Sequence, residues 1–416
     1  MTKKLLAFFI FLSVAACSNI AQTTLVNQDD ISGKVEVVWE QKPRSVASGS
    51  GGQLWVRASE SMNLLYAAHG DEGSSNVYLA KSKDVGDSFG HAVKANSESG
   101  KVSSHGENGP QLRMGNGIEI FAAWIENRDV RFARSVNFGR SFLPPMRVND
   151  DKGKASQSFH TLEASPDGTV FIAWLDGREK GKGAPGTSSI YLARSQDKGK
   201  TFGKNIKVAG DICPCCRPAI AFGNSGQVFV SWRHVYPGNV RKIVVASSSD
   251  NGSTWFNPVP VEEKGWEING CAHSGPTMKY VDGKLFLVWY TGAESKASLK
   301  MAWSTNDGKS FSSLGEIQQK ILDPNHPHLA VIMGEPWVIF QGRDSSKKGG
   351  WAPAQAWTVK LSKEGKASVP QAIPTDGTGV VYPYLFKGNG GRVYALWTAL
   401  TDNGPKVMMS RGRLKS

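Results

Sequence analysis

A short pattern, aromatic-x-x-Trp or a close variant, returns seven times along this chain. The copies are Y-A-A-H (66–69), F-A-A-W (121–124), F-I-A-W (171–174), F-V-S-W (229–232), F-L-V-W (286–289), W-V-I-F (337–340) and Y-A-L-W (394–397). Their last positions stand 50 to 58 residues apart. A repeat of that period must bury its apolar face by stacking on further copies of itself. A second element precedes most copies: G-P-Q-L (109–112), F-H-T-L (159–162), R-P-A-I (217–220), G-P-T-M (275–278), H-P-H-L (326–329) and Y-P-Y-L (382–385), with G-G-Q-L (51–54) as a looser first copy. In the six full copies the second residue lies 13 or 14 positions before the Trp or Phe. Short alternating strands, turn signals and this period predict an all-β fold, a β-propeller of seven four-stranded blades forming one domain over 34–416. The last repeat, 380–413, ends after its third strand. The stretch K-V-E-V-V-W-E (34–40) is expected to complete that sheet and so remove an exposed edge.

A third element follows five copies: S-K-D-V-G-D-S-F (82–89), S-V-N-F-G-R-S-F (135–142), S-Q-D-K-G-K-T-F (195–202), S-S-D-N-G-S-T-W (248–255) and S-T-N-D-G-K-S-F (304–311). These resemble the Asp-box, or BNR, repeat. The resemblance implies a hairpin turn in which Asp or Asn bonds the turn backbone, Gly takes positive φ and the aromatic plugs the sheet. That role is structural and says little about chemistry.

The N-terminus reads as an export signal: basic Lys3 and Lys4, an apolar run Leu5–Val14, then V-A-A-C-S (14–18). The run falls well short of the roughly 20 apolar residues that span a bilayer. A cysteine after Val-Ala-Ala resembles a bacterial lipoprotein box. That implies a signal peptide over 1–16, Cys17 as the lipidated first residue, a linker over 17–33 and, from Ser18, an outer-membrane address on its periplasmic or cell-surface side. The formal charge is +13. It favours acidic partners such as anionic sugars, although a diffuse basic surface accounts for it equally well. No Lys/Arg run stands out, so no nucleic-acid partner is expected. The expected partners are the membrane, through the lipid, and a small-molecule, metal or anionic glycan ligand. A monomer is expected.

In a propeller the innermost strand starts on one face, here the top, and the loop from second to third strand returns there. His105, His160, His273, His326 and His328 lie before or at the start of inner strands, and His69 and His234 at the ends of second strands. Seven of the eight histidines thus map to the top, with His91 the exception. Cys213, Cys215, Cys216 and Cys271 map there too. A lone histidine at a strand end is ordinarily a loop residue, so it is the clustering that points to a site. His326 and His328 should project from the same side of one strand.

For the cysteines three readings stand open. In an oxidising compartment they could form disulfides, Cys213–Cys216 or one from this cluster to Cys271. Adjacent Cys215 and Cys216 would strain the intervening peptide. They could instead be thiolates that, with His273, hold copper(I) or zinc. They could also remain free thiols.

Five Asp-boxes in an exported propeller resemble the sialidase and BNR-repeat superfamily, whose sialidases have six blades. The resemblance implies an exo-sialidase chemistry: three arginines clamping a sugar carboxylate, a tyrosine nucleophile with its glutamate, and an aspartate acid/base. The top face offers Arg128, Arg178, Arg217, Arg233, Arg241 and Arg343. It offers Tyr236, Tyr290, Tyr382 and Tyr384 as nucleophiles, and Asp71 or Asp176 as acid. The catalytic set this implies is Arg217, Arg233, Arg241, Arg343, Tyr382 and Asp71. The Phe-Arg-Ile-Pro type segment that places the first sialidase arginine is missing. C-P-C-C-R-P (213–218), V-S-W-R-H-V-Y-P-G-N-V-R (230–241) and G-C-A-H-S-G-P (270–276) resemble a subgroup of exported bacterial BNR proteins labelled sialidase-like. Its shared motifs are the top-face Cys, His and Arg residues rather than a sialidase catalytic set.

The first expectation is therefore a ligand site at the top centre. Arg217, Arg233, His234, Arg241, His326 and His328 would bind the ligand. Cys213, Cys215, Cys216, Cys271 and His273 would form a metal or disulfide cluster. An exo-sialidase-type hydrolase and a scaffold for protein partners are the alternatives.

Overall fold

Strand after strand in this chain pairs antiparallel with its sequence neighbour. The computed structural model describes residues 36–48, 54–61, 64–71, 75–103, 106–182, 187–346 and 352–415. The leader, Cys17 and His105 lie outside the described residues. Four-stranded meanders run over 54–94, 277–316 and 321–372. Another meander, over 102–147, has an interrupted first strand. Two more, over 157–212 and 219–260, join into one sheet where Ile212 faces His234. In the last sheet, Gly404–Lys415 pairs with Arg392–Thr401 on one side. On its other side it pairs with Glu36–Trp39 and Arg44–Ser48.

The first strands of successive meanders pack side by side. Leu54–Ser61 lies against Gln111–Met114, which lies against Gln157–Ala164, then Ala219–Phe222, Thr277–Val281, Ile321–Ile332 and Gly379–Lys387. Gly379–Lys387 returns to Leu54–Ser61, so the strands enclose a central channel. This all-β arrangement is a β-propeller.

The repeated aromatics form the packing between sheets. Trp124, Trp174, Trp232, Trp289 and Trp397 are essentially fully buried, as are Phe121, Phe171 and Phe229. Burying one such ring contributes on the order of 2–3 kcal/mol. The five box turns share one hydrogen-bond scheme. In 195–202 the Ser195 hydroxyl donates to Asp197 (2.7 Å) and accepts the Gly199 N–H (2.8 Å). Asp197 also accepts the N–H groups of Lys200 and Thr201. Lys198 and Gly199 both take positive φ, the geometry of a tight hairpin turn. A Cβ at Gly199 would strike the Phe132 ring of the preceding meander at 2.6 Å. The turn therefore fixes sheet-to-sheet packing as well as chain reversal.

The channel mouth is irregular. Ser103 faces Ile125 and Gln111 faces Ala123, and between these pairs 106–110 stands off the strand as an excursion. The Cys213 N–H bonds Arg233 O at 2.9 Å, and Ala219 faces Ser231, so 214–218 leaves it in the same way. Register shifts fall between Ser158 and Thr161, Asn325 and His328, and Val381 and Tyr384. Phe159, His326 and Tyr382, inside these shifts, take positive φ. Such bulges re-aim side chains next to functional sites.

Candidate functional site

The excursion 214–218 buries three thiols together. Cys213, Cys215 and Cys216 have Sγ–Sγ separations of 3.5, 3.7 and 4.0 Å. The shell around them is apolar: Phe159, Val235, Trp266, Ala272 and Tyr290. No sulfur is bonded to another, and Cys271 is also a free thiol, exposed at the rim. Two guanidiniums stand against the cluster. Arg241 Nη1 donates to Cys213 Sγ at 3.0 Å. Arg233, 1% exposed, donates to the carbonyls of Ser274 and Tyr290. Nε of each has no hydrogen-bond partner among the described residues. Hydrogen bonds from the Cys215 and Cys216 thiols, reinforced by the Arg241 charge, hold Cys213 well below the ordinary thiol range. Cys215 and Cys216 are correspondingly pushed up, as donors to Cys213.

Thiolates around one tetrahedral ion at about 2.3 Å stand about 3.8 Å apart. The observed spacing brackets that value. The rim supplies a second donor group. Cys215, Cys271 and His273 place their ligand atoms within 4.8 Å of one another.

Beside the cluster, the excursion 106–110 inserts Glu107 at the axis. Its carboxylate accepts the Gly275 N–H (2.8 Å) and lies 3.3 Å from His326 Nδ1. Burial would raise its pKa, but the His326 hydrogen bond and the Arg217 charge outweigh this and hold it below the usual range. Gly275 is required here because a Cβ would lie 2.1 Å from Arg217 O. Deeper in the channel Arg113 forks onto Glu163, with contacts of 2.7 and 2.6 Å, and Lys279 approaches Glu163 at 3.5 Å. Burial acts to raise the Glu163 carboxyl, yet the two cations pull it down to about 2. Gln111, Arg113, Glu163, Arg217, Lys279 and His328 line this channel.

The remaining candidates divide between these two places and neither. Arg217 reaches Gln111 in the channel (3.4 Å), and the Tyr382 ring lies tilted against His326, with ring centroids 4.4 Å apart. His326 and His328 do not act as a pair. The bulge turns His326 to Glu107, whereas His328 Nδ1 accepts the Leu385 N–H at 3.4 Å. His234 lies next to Arg233 with its ring against Tyr236. Arg343 is paired with Asp323 (2.7 Å). Asp176 is buried and accepts Trp174 Nε1 and Arg178. His160 is fully buried, its Nε2 2.9 Å from Ala123 O, because Thr161 and Glu163 occupy the channel side of that strand. The side chain of Asp71 lies outside the described residues. Arg217, Arg233, Arg241 and Arg343 thus each engage different partners.

Sequence reasoning missed Glu107, Arg113, Glu163 and Lys279. The last three share a register: each is two residues beyond a channel-lining Gln111, Thr161 or Thr277. Period-two alternation along the inner strands was the available signal.

An all-β propeller with Asp-box turns and a Cys/His/Arg-lined mouth is the class this fold and site define. A family model for the BNR repeat-like domain matches residues 122–395, and the chain belongs to that family. Over 239 residues it is 26% identical to a sialidase from Micromonospora viridifaciens, a match covering 49% of this chain and 35% of that protein. The chain therefore spans about a third of that relative's length. A protein of unknown function from Dyadobacter fermentans superposes with a TM-score of 0.53 at 17% identity, over 77% of this chain and 97% of that one. An ulvan lyase superposes with a TM-score of 0.56 at 10% identity, over 89% and 95%. These two likenesses bear on the fold alone.

Proposed function

We propose that this chain is an exported, seven-bladed propeller, lipidated at Cys17 and held at the outer membrane, that binds a thiophilic metal ion at its channel mouth. The ion is copper(I) or zinc, and Cys213, Cys215 and Cys216 are its core ligands. One observation carries the reading: three buried thiols converge to metal-ligand spacing inside an apolar shell, with a guanidinium on one sulfur. Soft thiolates select copper(I) and zinc, and a positive neighbour keeps a thiol deprotonated. The closed series of inner strands supports the blade count. The test is native mass spectrometry of the mature, unlipidated protein purified without oxygen or chelator. A bound metal mass in the wild type, lost in Cys216→Ala, is expected. A metal-free wild type would refute the reading.

A second reading, an exo-sialidase-type hydrolase, rests on the partial match to the Micromonospora sialidase. It requires cleavage of a fluorogenic sialoside that is lost in Arg217→Ala. The separate engagements of Arg233, Arg241 and Arg343 disfavour a shared carboxylate clamp.

A further inference from the structure

We infer that the channel mouth holds two copper(I) ions that share the Cys215 sulfur; this rests on the metal-binding reading above. Two donor groups are present, Cys213/Cys215/Cys216 and Cys215/Cys271/His273, and Cys215 alone belongs to both. Donors on one ion at about 2.3 Å can stand at most about 4.6 Å apart. Among the described residues Cys271 and His273 form no such group with Cys213 or Cys216, so one ion cannot take all five donors as they stand. A thiolate has lone pairs for two soft ions, and Cys215 lies where a bridge is needed.

Charge selects the ion. Four thiolates, three of them in an apolar pocket, and two monovalent ions leave two net negative charges. Arg233 and Arg241, both buried against the cluster, match them. Two divalent ions would neutralise the thiolates and leave both guanidiniums uncompensated. The two sites also differ in access. Cys213 and Cys216 are fully buried, whereas Cys271 and His273 are exposed. The rim site is therefore the entry point, and an ion moves inward by exchanging ligands across the shared sulfur. Copper stays monovalent throughout, and each thiol that ligates releases its proton to solvent.

The experiment is anaerobic titration of the mature, unlipidated protein with copper(I), read by native mass spectrometry and by copper X-ray absorption. The wild type should bind two ions and show a copper–copper vector. Cys271→Ser and His273→Ala, changes at exposed positions, should each bind one and lose that vector. Cys215→Ser should bind none stably. One ion in the wild type, unchanged in Cys271→Ser, would overturn the two-ion site while leaving the metal-binding reading intact. Two ions retained in Cys215→Ser would overturn the bridge. No ion in the wild type would remove both.

Discussion

At the Asp-box turns five segments of different sequence make the same hydrogen bonds, Ser to Asp or Asn and Gly N–H to Ser, within about two tenths of an ångström of one another. At the channel mouth the repeats diverge, although three of them bulge at one aligned position. One sends out Glu107, the next bulges at Phe159, the next folds three cysteines inward, and two more bulge at His326 and Tyr382. The hydrogen bonds of the turn end lie within about eight residues of sequence, so each repeat closes its own turn. The mouth works through contacts such as Glu107 to Gly275 and Glu107 to His326, which join repeats far apart in the chain. Uniform geometry marks the end that builds the ring, and broken geometry marks the end that can bind something.

The largest expected effect lies in the channel. Glu163→Gln leaves Arg113 and Lys279 facing a neutral amide in a buried site, at a cost of about 3–5 kcal/mol. Denaturant unfolding checks this. Because the folded Glu163 carboxyl titrates near 2 and its ordinary value is 4.5, its contribution is complete above about pH 4.5. It is lost as pH falls toward 2. The wild type should therefore lose stability over that window, and the difference between wild type and Glu163→Gln should shrink there. A constant difference would show that the Arg113 pair does not set the acid limb.

Next comes Gly275→Ala. The added methyl meets the Arg217 backbone rather than a movable side chain, so the cost is about 1–3 kcal/mol. The 270–276 segment must also shift, carrying Cys271 and His273 with it. Copper(I) stoichiometry should fall alongside the melting temperature. Unchanged stoichiometry would mean that the rim donors are placed independently of the Glu107 hub.

The two ends also explain what could be read before the fold was known. The strands and turns were legible because they recur: an aromatic, a Trp and a Ser-x-Asp-x-Gly at fixed offsets are local signals, and local physics suffices to interpret them. That Cys213, Cys215 and Cys216 share a place was legible from adjacency, and their nearness to Cys271 and His273 from the alignment of repeats. Glu107 was not, since nothing near it in sequence marks a carboxylate whose partners lie 110 to 219 positions away. His160 illustrates the opposite error. Its place before an inner strand suggested the mouth, but the one-residue phase of that strand sends it to Ala123 O in the core. Phase, unlike position, depends on bulges that the sequence does not announce.

The smallest expected effect sharpens the comparison from the other end. Asp197→Ala removes the acceptor for Ser195, Lys200 and Thr201 in one box turn. The side chain is only partly buried, so water replaces much of the lost bonding and the cost is about 1 kcal/mol. The loss stays local, because Gly199 still donates to Ser195 and still packs against Phe132. Thermal unfolding should shift slightly, and copper(I) stoichiometry should not change. A variant that lost metal while barely losing stability would mean that the turn end and the mouth are coupled through the strands. The division between a building end and a binding end would then fail, and the box turns would have to be counted as part of the site.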